Sequence, residues 1–254
     1  MTLMCSGDIH GDITGRFSYK RHPELRSLTV EDYVIVAGDF GAIWDWTGNS
    51  KEDKYYLDFL NSKPWTTIVV LGNHECWPLY KAMSCADPDF LDSGVIRQCV
   101  YMDKVYDNIF IVDNIATLNI EDNHILCIAG ADSHDKAWRT EGKTWWAEEA
   151  IDVNSCLDFM EDHSQEYFDL IVSHDAPASI NDWFSRDGIR YDSTYGQKYL
   201  ESLRKELNFG SWITGHMHFD SQWPSSIDPR VYTLYTAMVE IDKSKELKVK
   251  PNFY

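Results

Sequence analysis

The chain has 254 residues, 44% apolar and 14% aromatic, which is ample for a hydrophobic core and short for two domains. A single domain over residues 1–254 is therefore expected. A formal net charge of −18 argues against extended nucleic-acid binding, and no apolar run approaches the length of a membrane span.

In chain order, Leu3–Ser6 reads as a strand running straight into Gly7-Asp8-Ile9-His10. Tyr33–Ala37 reads as a second strand, ending at Gly38-Asp39. Lys51–Ser62 reads as a helix with Tyr56, Phe59, Leu60 and the stem of Lys63 on one face. Thr67–Leu71 is a strand that ends in Gly72-Asn73-His74-Glu75. Asn108–Val112, Ala116–Ile120 and His124–Ala129 follow, the last two forming a hairpin around Glu121-Asp122-Asn123. A helix is expected over Val153–Ser164, then a strand over Leu170–Ser173 leading into His174. Thr194–Leu207 places Tyr195, Tyr199, Leu203 and Leu207 four apart on a helix, a stripe that reads as core packing. Trp212–Thr214 leads into Gly215-His216-Met217-His218, and Val231–Thr236 is the last expected strand. The longest irregular stretches are Trp44–Ser50, Cys85–Ser93, Asp132–Lys143, Asn181–Asp192 and Phe219–Pro229, loops of a length often tied to function. Strand–helix alternation early and antiparallel strands later fit two packed sheets flanked by helices.

The six cysteines include no C-x-x-C pair, which argues against a thiolate zinc knuckle. Cys5 and Cys127 sit in apolar runs and read as buried thiols. Met1-Thr2-Leu3-Met4-Cys5 lacks the form of a signal peptide, so the reducing cytoplasm is the expected compartment.

Asp8, His10, Asp39, Asn73, His174, His216 and His218 are oxygen or nitrogen donors at strand ends. Such donors suit a hard or borderline divalent metal. One ion takes four to six donors; this set, with one bridging carboxylate, suits two ions about 3.5–4 Å apart. Asp-x-His and His-x-His put residues i and i+2 on the same side of an extended segment. Ligands at the carboxyl ends of several strands converge at one sheet edge. Glycines 7, 38, 72 and 215 let the backbone turn sharply there. The residues point to a metal-dependent hydrolase.

These motifs resemble the calcineurin-like metallophosphoesterase superfamily, whose pattern is D-x-H, GD, GNH[DE], H and GHxH in that order. All of them occur between Asp8 and His218. The resemblance implies a four-layer αββα sandwich of two mixed β-sheets flanked by helices. It implies hydrolysis of a phosphomonoester, of a small molecule or a nucleotide, by a metal-bound hydroxide attacking phosphorus in line. One metal is assigned to Asp8, His10, Asp39 and His218, the other to Asp39, Asn73, His174 and His216, with Asp39 bridging. Manganese is the first expectation for both; iron, zinc and cobalt are also admissible. His74 binds no metal and serves the leaving-group oxygen as general acid or hydrogen-bond donor.

The serine/threonine phosphatase and diadenosine tetraphosphatase branch carries GDxVDRG at the second motif. Here Ala42 replaces the aspartate that orients the histidine, and Ile43 replaces the phosphate-binding arginine. Glu75, Asp45 or a backbone carbonyl is left to orient His74. The stretch from Ala129 to Arg139, followed by Trp145-Trp146, resembles a group of bacterial and phage metallophosphoesterases with G-[GA]-x-x-S-x-D-K-x-x-R…W[WF]. Lys136 and Arg139 are the substrate-binding candidates, sharing one side if their loop forms a helical turn. His134 lies in the same loop. His22, His124 and His163 read as surface residues, and Asp175 receives no metal role. Alternative readings are a phosphodiesterase acting on cyclic nucleotides or short nucleic acid, a serine/threonine protein phosphatase, and a non-catalytic interaction module on the same fold.

Overall fold

The computed structural model describes residues 1–184, 192–224, 226–241 and 247–248. Its first elements are β1 (Leu3–Ser6), α1 (Ile13–Arg16), β2 (Tyr33–Ala37), α2 (Lys51–Asn61), β3 (Thr66–Val70) and α3 (Trp77–Lys81). An antiparallel run follows: β4 (Cys85–Ala86), β5 (Leu91–Gly94), β6 (Ile96–Tyr101), β7 (Lys104–Val112), β8 (Ile115–Ile120) and β9 (Asn123–Ile128). Next come α4 (Val153–His163), β10 (Tyr167–Ser173), α5 (Ala178–Phe184), α6 (Tyr195–Glu206) and β11 (Asn208–Thr214). The remaining strands are β12 (Ser221–Gln222), β13 (Val231–Thr233), β14 (Met238–Ile241) and β15 (Leu247–Lys248).

One sheet has the order β15-β14-β1-β2-β3-β7-β6-β4, the other β12-β13-β11-β10-β9-β8-β5. Both are mixed. β1, β2, β3 and β7 run parallel, with antiparallel neighbours outside them. β9, β10, β11 and β13 do the same in the second sheet. Alternation along the second sheet fixes the layers. Ile125, Cys127, Leu170, Val172 and Ile213 join the large core that also holds the strands of the first sheet. Their neighbours Leu126, Ile128, Ile171 and Trp212 face the other way, onto Cys156 and Met160 of α4 and Leu200 and Leu203 of α6. Helices outside, two sheets inside: this is the expected αββα sandwich.

The longer helices α2, α4 and α6 start where side chains cap them. Ser50 accepts from Asp53 N at the start of α2, and Asp152 accepts from Ser155 N at the start of α4. Thr194 and Gln197 form a reciprocal capping box on α6. The face buried by α6 carries Tyr199, Leu200 and Leu203, whereas Tyr195 is 70% exposed and leaves the expected stripe. On α2 the buried apolar residues are Leu57 and Leu60, and the ammonium of Lys63 covers the Phe59 ring at 3.9 Å.

Every expected strand is present to within a few residues. β4, β5, β6, β12, β14 and β15 were not expected. Leu91-Asp92-Ser93-Gly94, in β5, has neither β-branched residues nor an apolar face; its pairing with β8 makes it a strand. The stretch Cys85–Ser93 is accordingly only partly irregular. Of Asn181–Asp192, the first four residues belong to α5, and residues 185–191 lie outside the described set. No helix among the described residues is long and apolar enough to cross a membrane.

Candidate metal centre

The carboxyl ends of β1, β2 and β3 in one sheet and β10 and β11 in the other meet along one rim. There the backbone reverses. His10, Asp39, His216 and His218 all take positive φ, at 49, 45, 64 and 55°. Residues with side chains rarely adopt this region, at a cost of about 1–3 kcal/mol each, and they persist where the surroundings over-determine them. Gly38 is required here: its φ is 85°, and a Cβ would lie 2.1 Å from His174 Nδ1.

Asp8 and Asp39 form the middle of the site, both fully buried. Asp8 Oδ1 accepts from His216 N at 2.8 Å, and Asp39 Oδ1 accepts from His74 N at 2.8 Å. The second oxygen of each is buried without a hydrogen-bond partner. Both orphaned oxygens lie 3.6 Å from His10 Nε2. His218 Nε2 stands 3.2 Å from Asp8 Oδ2 and 2.9 Å from His10 Nε2. One donor atom from each of Asp8, His10, Asp39 and His218 falls within 4.8 Å of all the others.

A second set of donors faces Asp39 from the other side. His174 Nε2 lies 3.2 Å from Asp39 Oδ1 and 3.0 Å from Asn73 Oδ1. The amide of Asn73 is oriented by Ser133, whose hydroxyl accepts from Nδ2 at 2.9 Å. His174 Nδ1 donates to Ala37 O at 2.8 Å, which turns Nε2 towards Asp39. The His216 ring packs edge-on to His174 at 5.0 Å.

This donor set fits divalent cations. Each buried carboxylate carries a desolvation penalty of several kcal/mol. Single hydrogen bonds to charged groups return only about 1.5–3 kcal/mol. The imbalance shows in the titration of the ring facing them. Burial opposes charge on His174, yet Asp39 and then Asp8 push its pKa up to about 10. The same attraction, acting against burial through His10 and His218, draws Asp8 down to about 2. Cations between the two carboxylates would supply that compensation through the orphaned oxygens.

His74 flanks the centre. Its ring meets that of His10 at 5.2 Å and lies nearly parallel to Trp44, 17° apart with centroids at 6.0 Å. Arg139 Nη2 donates to His74 Nδ1 at 3.4 Å, while Nη1 donates to Ser133 Oγ at 2.7 Å. Burial, reinforced by Arg139 and His10 against Asp39, lowers His74 to about 4. The ring is therefore neutral near pH 7, with Nδ1 accepting and the proton on Nε2.

A sequence profile for the calcineurin-like phosphoesterases matches residues 1–220. The chain belongs to this family. No curated protein matches it. Among solved structures, this phosphoesterase is similar to phosphopantetheinyl hydrolase from Mycobacterium tuberculosis, at 17% identity and a TM-score of 0.42, over 92% of this chain and 89% of that one. It is also similar to a protein of unknown function from Aquifex aeolicus, at 14% identity and a TM-score of 0.34, over 82% of this chain and 87% of that one. The phosphoesterase is a metal-dependent hydrolase of phosphoric esters.

Of the seven expected donors, Asp8, His10, Asp39 and His218 lie together, His174 approaches Asp39 and Asn73, and the His216 ring packs on that of His174. The two candidates for gripping substrate do not behave alike. Lys136 opens a 3-10 turn, Lys136–Trp138, and is exposed. Arg139 follows the turn in an extended conformation, and its side chain is only 8% exposed. The turn ends before Arg139, so the helical turn expected to carry both residues does not reach the second. None of the residues expected to orient His74 does so. Glu75 accepts from Phe40 N at 2.6 Å and Gly41 N at 3.2 Å, clamping the Asp39 loop, and burial raises it to about 8. Asp45 instead accepts from Thr47. Arg139 and the Trp44 ring take the positions beside His74.

Asp175 accepts from Ala176 N and Gln197 Nε2, tying the His174 turn to α6. His134 stacks on His216 at 5.9 Å. His22 is buried against Glu24 rather than exposed, and His124 and His163 are partly buried beside Asp92 and Glu166. Ser133, Glu149 and Trp44 join the site without having been expected there from the sequence. The signal for Ser133 was present in the Ala129-Gly130-Ala131-Asp132-Ser133 stretch. Glu149, whose carboxylate lies 3.7 Å from Arg139, had none beyond its place in an acidic run.

Proposed function

We propose that this phosphoesterase hydrolyses a phosphomonoester of a small molecule or a nucleotide. The observation that carries the reading is one carboxylate, Asp39, facing both donor sets, with the His74 ring beside them at 5.2 Å from that of His10. When bound, two divalent ions held by Asp8, His10, Asp39 and His218 and by Asp39, Asn73, His174 and His216 would polarise the phosphoryl group and acidify an attacking water. Manganese heads the candidate ions; mixed nitrogen and oxygen ligation also admits iron, zinc and cobalt.

The chain's own residues supply the rest. Asp39 keeps the two donor sets in register, itself held by the His74 backbone amide. Ala37 fixes the tautomer and angle of His174. His74 Nε2–H donates to the leaving-group oxygen as negative charge develops there, help typically worth about 10²–10⁴-fold. The Arg139 guanidinium sits beside His74, where the extra anionic oxygen of a monoester favours a cation. Cysteines 5, 76, 85, 99, 127 and 156 are all free thiols, Cys85 exposed among them, in keeping with a reducing cytoplasm. The residues that build the centre come from both sheets, in keeping with one domain.

The test is turnover after reconstitution with each candidate metal. Alkyl and nucleoside monoesters are compared with a cyclic nucleotide and a phosphopeptide. Monoesters should lead by tenfold or more. A cyclic nucleotide hydrolysed faster than any monoester would overturn the reading in favour of a phosphodiesterase.

A further inference from the structure

We infer that the cleft beside His74 is a subsite for a planar, uncharged heteroaromatic ring on the leaving group, the chemistry of a purine or pyrimidine nucleoside. The inference rests on the reading of His74 as the residue on the leaving-group side.

A cavity of about 610 Å³ begins at His10 and His74 and continues along Trp44, Trp46 and Tyr56. Small-molecule sites usually occupy about 300–1,000 Å³, so there is room for a ring together with a sugar. Trp44 and Trp46 are 39% and 52% exposed, leaving part of each indole in water at the mouth of a catalytic site. The Trp44 ring lies nearly parallel to His74. A ring carried on the oxygen served by His74 can therefore continue along the same stack.

The wall is also built in advance. Buried Asp53 accepts from Trp44 N at 3.2 Å and from Asp45 N at 3.0 Å, and it receives the Tyr101 hydroxyl at 3.2 Å. Fixing this loop before the ligand arrives removes ordering cost from binding.

Charge narrows the ligand. Carboxylates of Asp45 and Glu52 line the cleft, able to accept N–H groups and repelling a second phosphate. The indole faces already meet the protein's own cations. Arg139 lies 5.8 Å from the Trp44 ring centre and the Lys143 ammonium 5.4 Å from that of Trp46. A cationic headgroup would be placed beside like charge, whereas a neutral ring with N–H edges satisfies both the rings and the acids.

The experiment compares adenosine 5′-monophosphate, ribose 5-phosphate and phosphocholine as substrates, and adenosine as a ligand read by tryptophan fluorescence. The nucleotide should exceed the other two in kcat/KM by tenfold or more, and adenosine should quench. Trp46→Ala should collapse that preference and weaken adenosine binding by tenfold or more, while Trp46→Phe, which keeps a ring, should retain most of both. Metal content and circular dichroism establish that each variant is folded. Equal kcat/KM for nucleotide and ribose 5-phosphate, or a lead for phosphocholine, would overturn the inference. Adenosine binding that depends on Trp46 with no monoester turnover supports the subsite and sinks the monoester reading; monoester turnover without ring preference does the reverse.

Discussion

His174 Nδ1 donates to the carbonyl oxygen of Ala37 across 2.8 Å, joining the end of β10 in one sheet to the end of β2 in the other. This bond decides which nitrogen of His174 faces Asp39, and it links two strand ends that no ladder connects. Gly38 passes directly beneath the ring. Gly38→Ala should displace His174, because the added methyl meets Nδ1 at 2.1 Å and φ is 85°. Elemental analysis should show metal lost from the Asn73–His174–His216 side, and the melting temperature should fall. Unchanged metal content would mean that the ring has room to move.

Metal stoichiometry should reach two ions per chain. Asp39→Asn should weaken both sites together, because the carboxylate facing both donor sets would lose its charge. The measurement is metal content after reconstitution and desalting. One ion per chain with full activity is the outcome that excludes a dinuclear centre.

His74→Asn should lower turnover by about 10²–10⁴-fold with both metals retained. The loss should shrink for an aryl phosphate whose leaving group needs no protonation. An equal loss on good and poor leaving groups would reject a donor role at the leaving oxygen.

Arg139→Ala should lower kcat/KM by about 10–100-fold, a loss in the range of a charge-assisted hydrogen bond. The contact to His74 Nδ1 places the effect mainly on kcat. Added guanidinium should restore part of the rate, and metal content should hold. A pure rise in KM would leave only the substrate contact, and unchanged kinetics would remove both roles.

Acid should loosen the α5–α6 corner. Glu201 accepts from Arg204 at 2.7 Å and Ser179 N at 3.1 Å; these contacts overcome burial and hold its carboxyl at about 2. A folded pKa below the unfolded one contributes stability that is present above the unfolded value, near 4.5, and lost as pH falls towards about 2. The difference in melting temperature between the parent and Glu201→Gln should therefore be constant above about pH 5.5 and narrow below about pH 4.5. A difference that persists undiminished at the acid end would mean that this pairing contributes nothing pH-dependent.

By itself the sequence determined the centre's donors and the strands that deliver them. Asp8 with His10, and His216 with His218, were legible as motifs, but the extended segment expected for them is not what forms: His10, His216 and His218 take positive φ, and a reversing backbone brings the donors together. The apolar runs ahead of them marked strand ends, because alternation within a strand is a local property. Tertiary structure alone decided the surroundings. Leu91–Gly94 is a strand because β8 offers it an edge, a partnership that its own residues do not encode. From the sequence Glu75 and Asp45 are candidates to orient His74, and Arg139 is a candidate to hold substrate. Which one arrives depends on the loop after β9 folding back across the rim, with Glu75 drawn away to the amides of Phe40 and Gly41. The exposed faces of Trp44 and Trp46 likewise depend on Asp53 holding their loop open. Such contacts join residues far apart in the chain, and only packing selects among them.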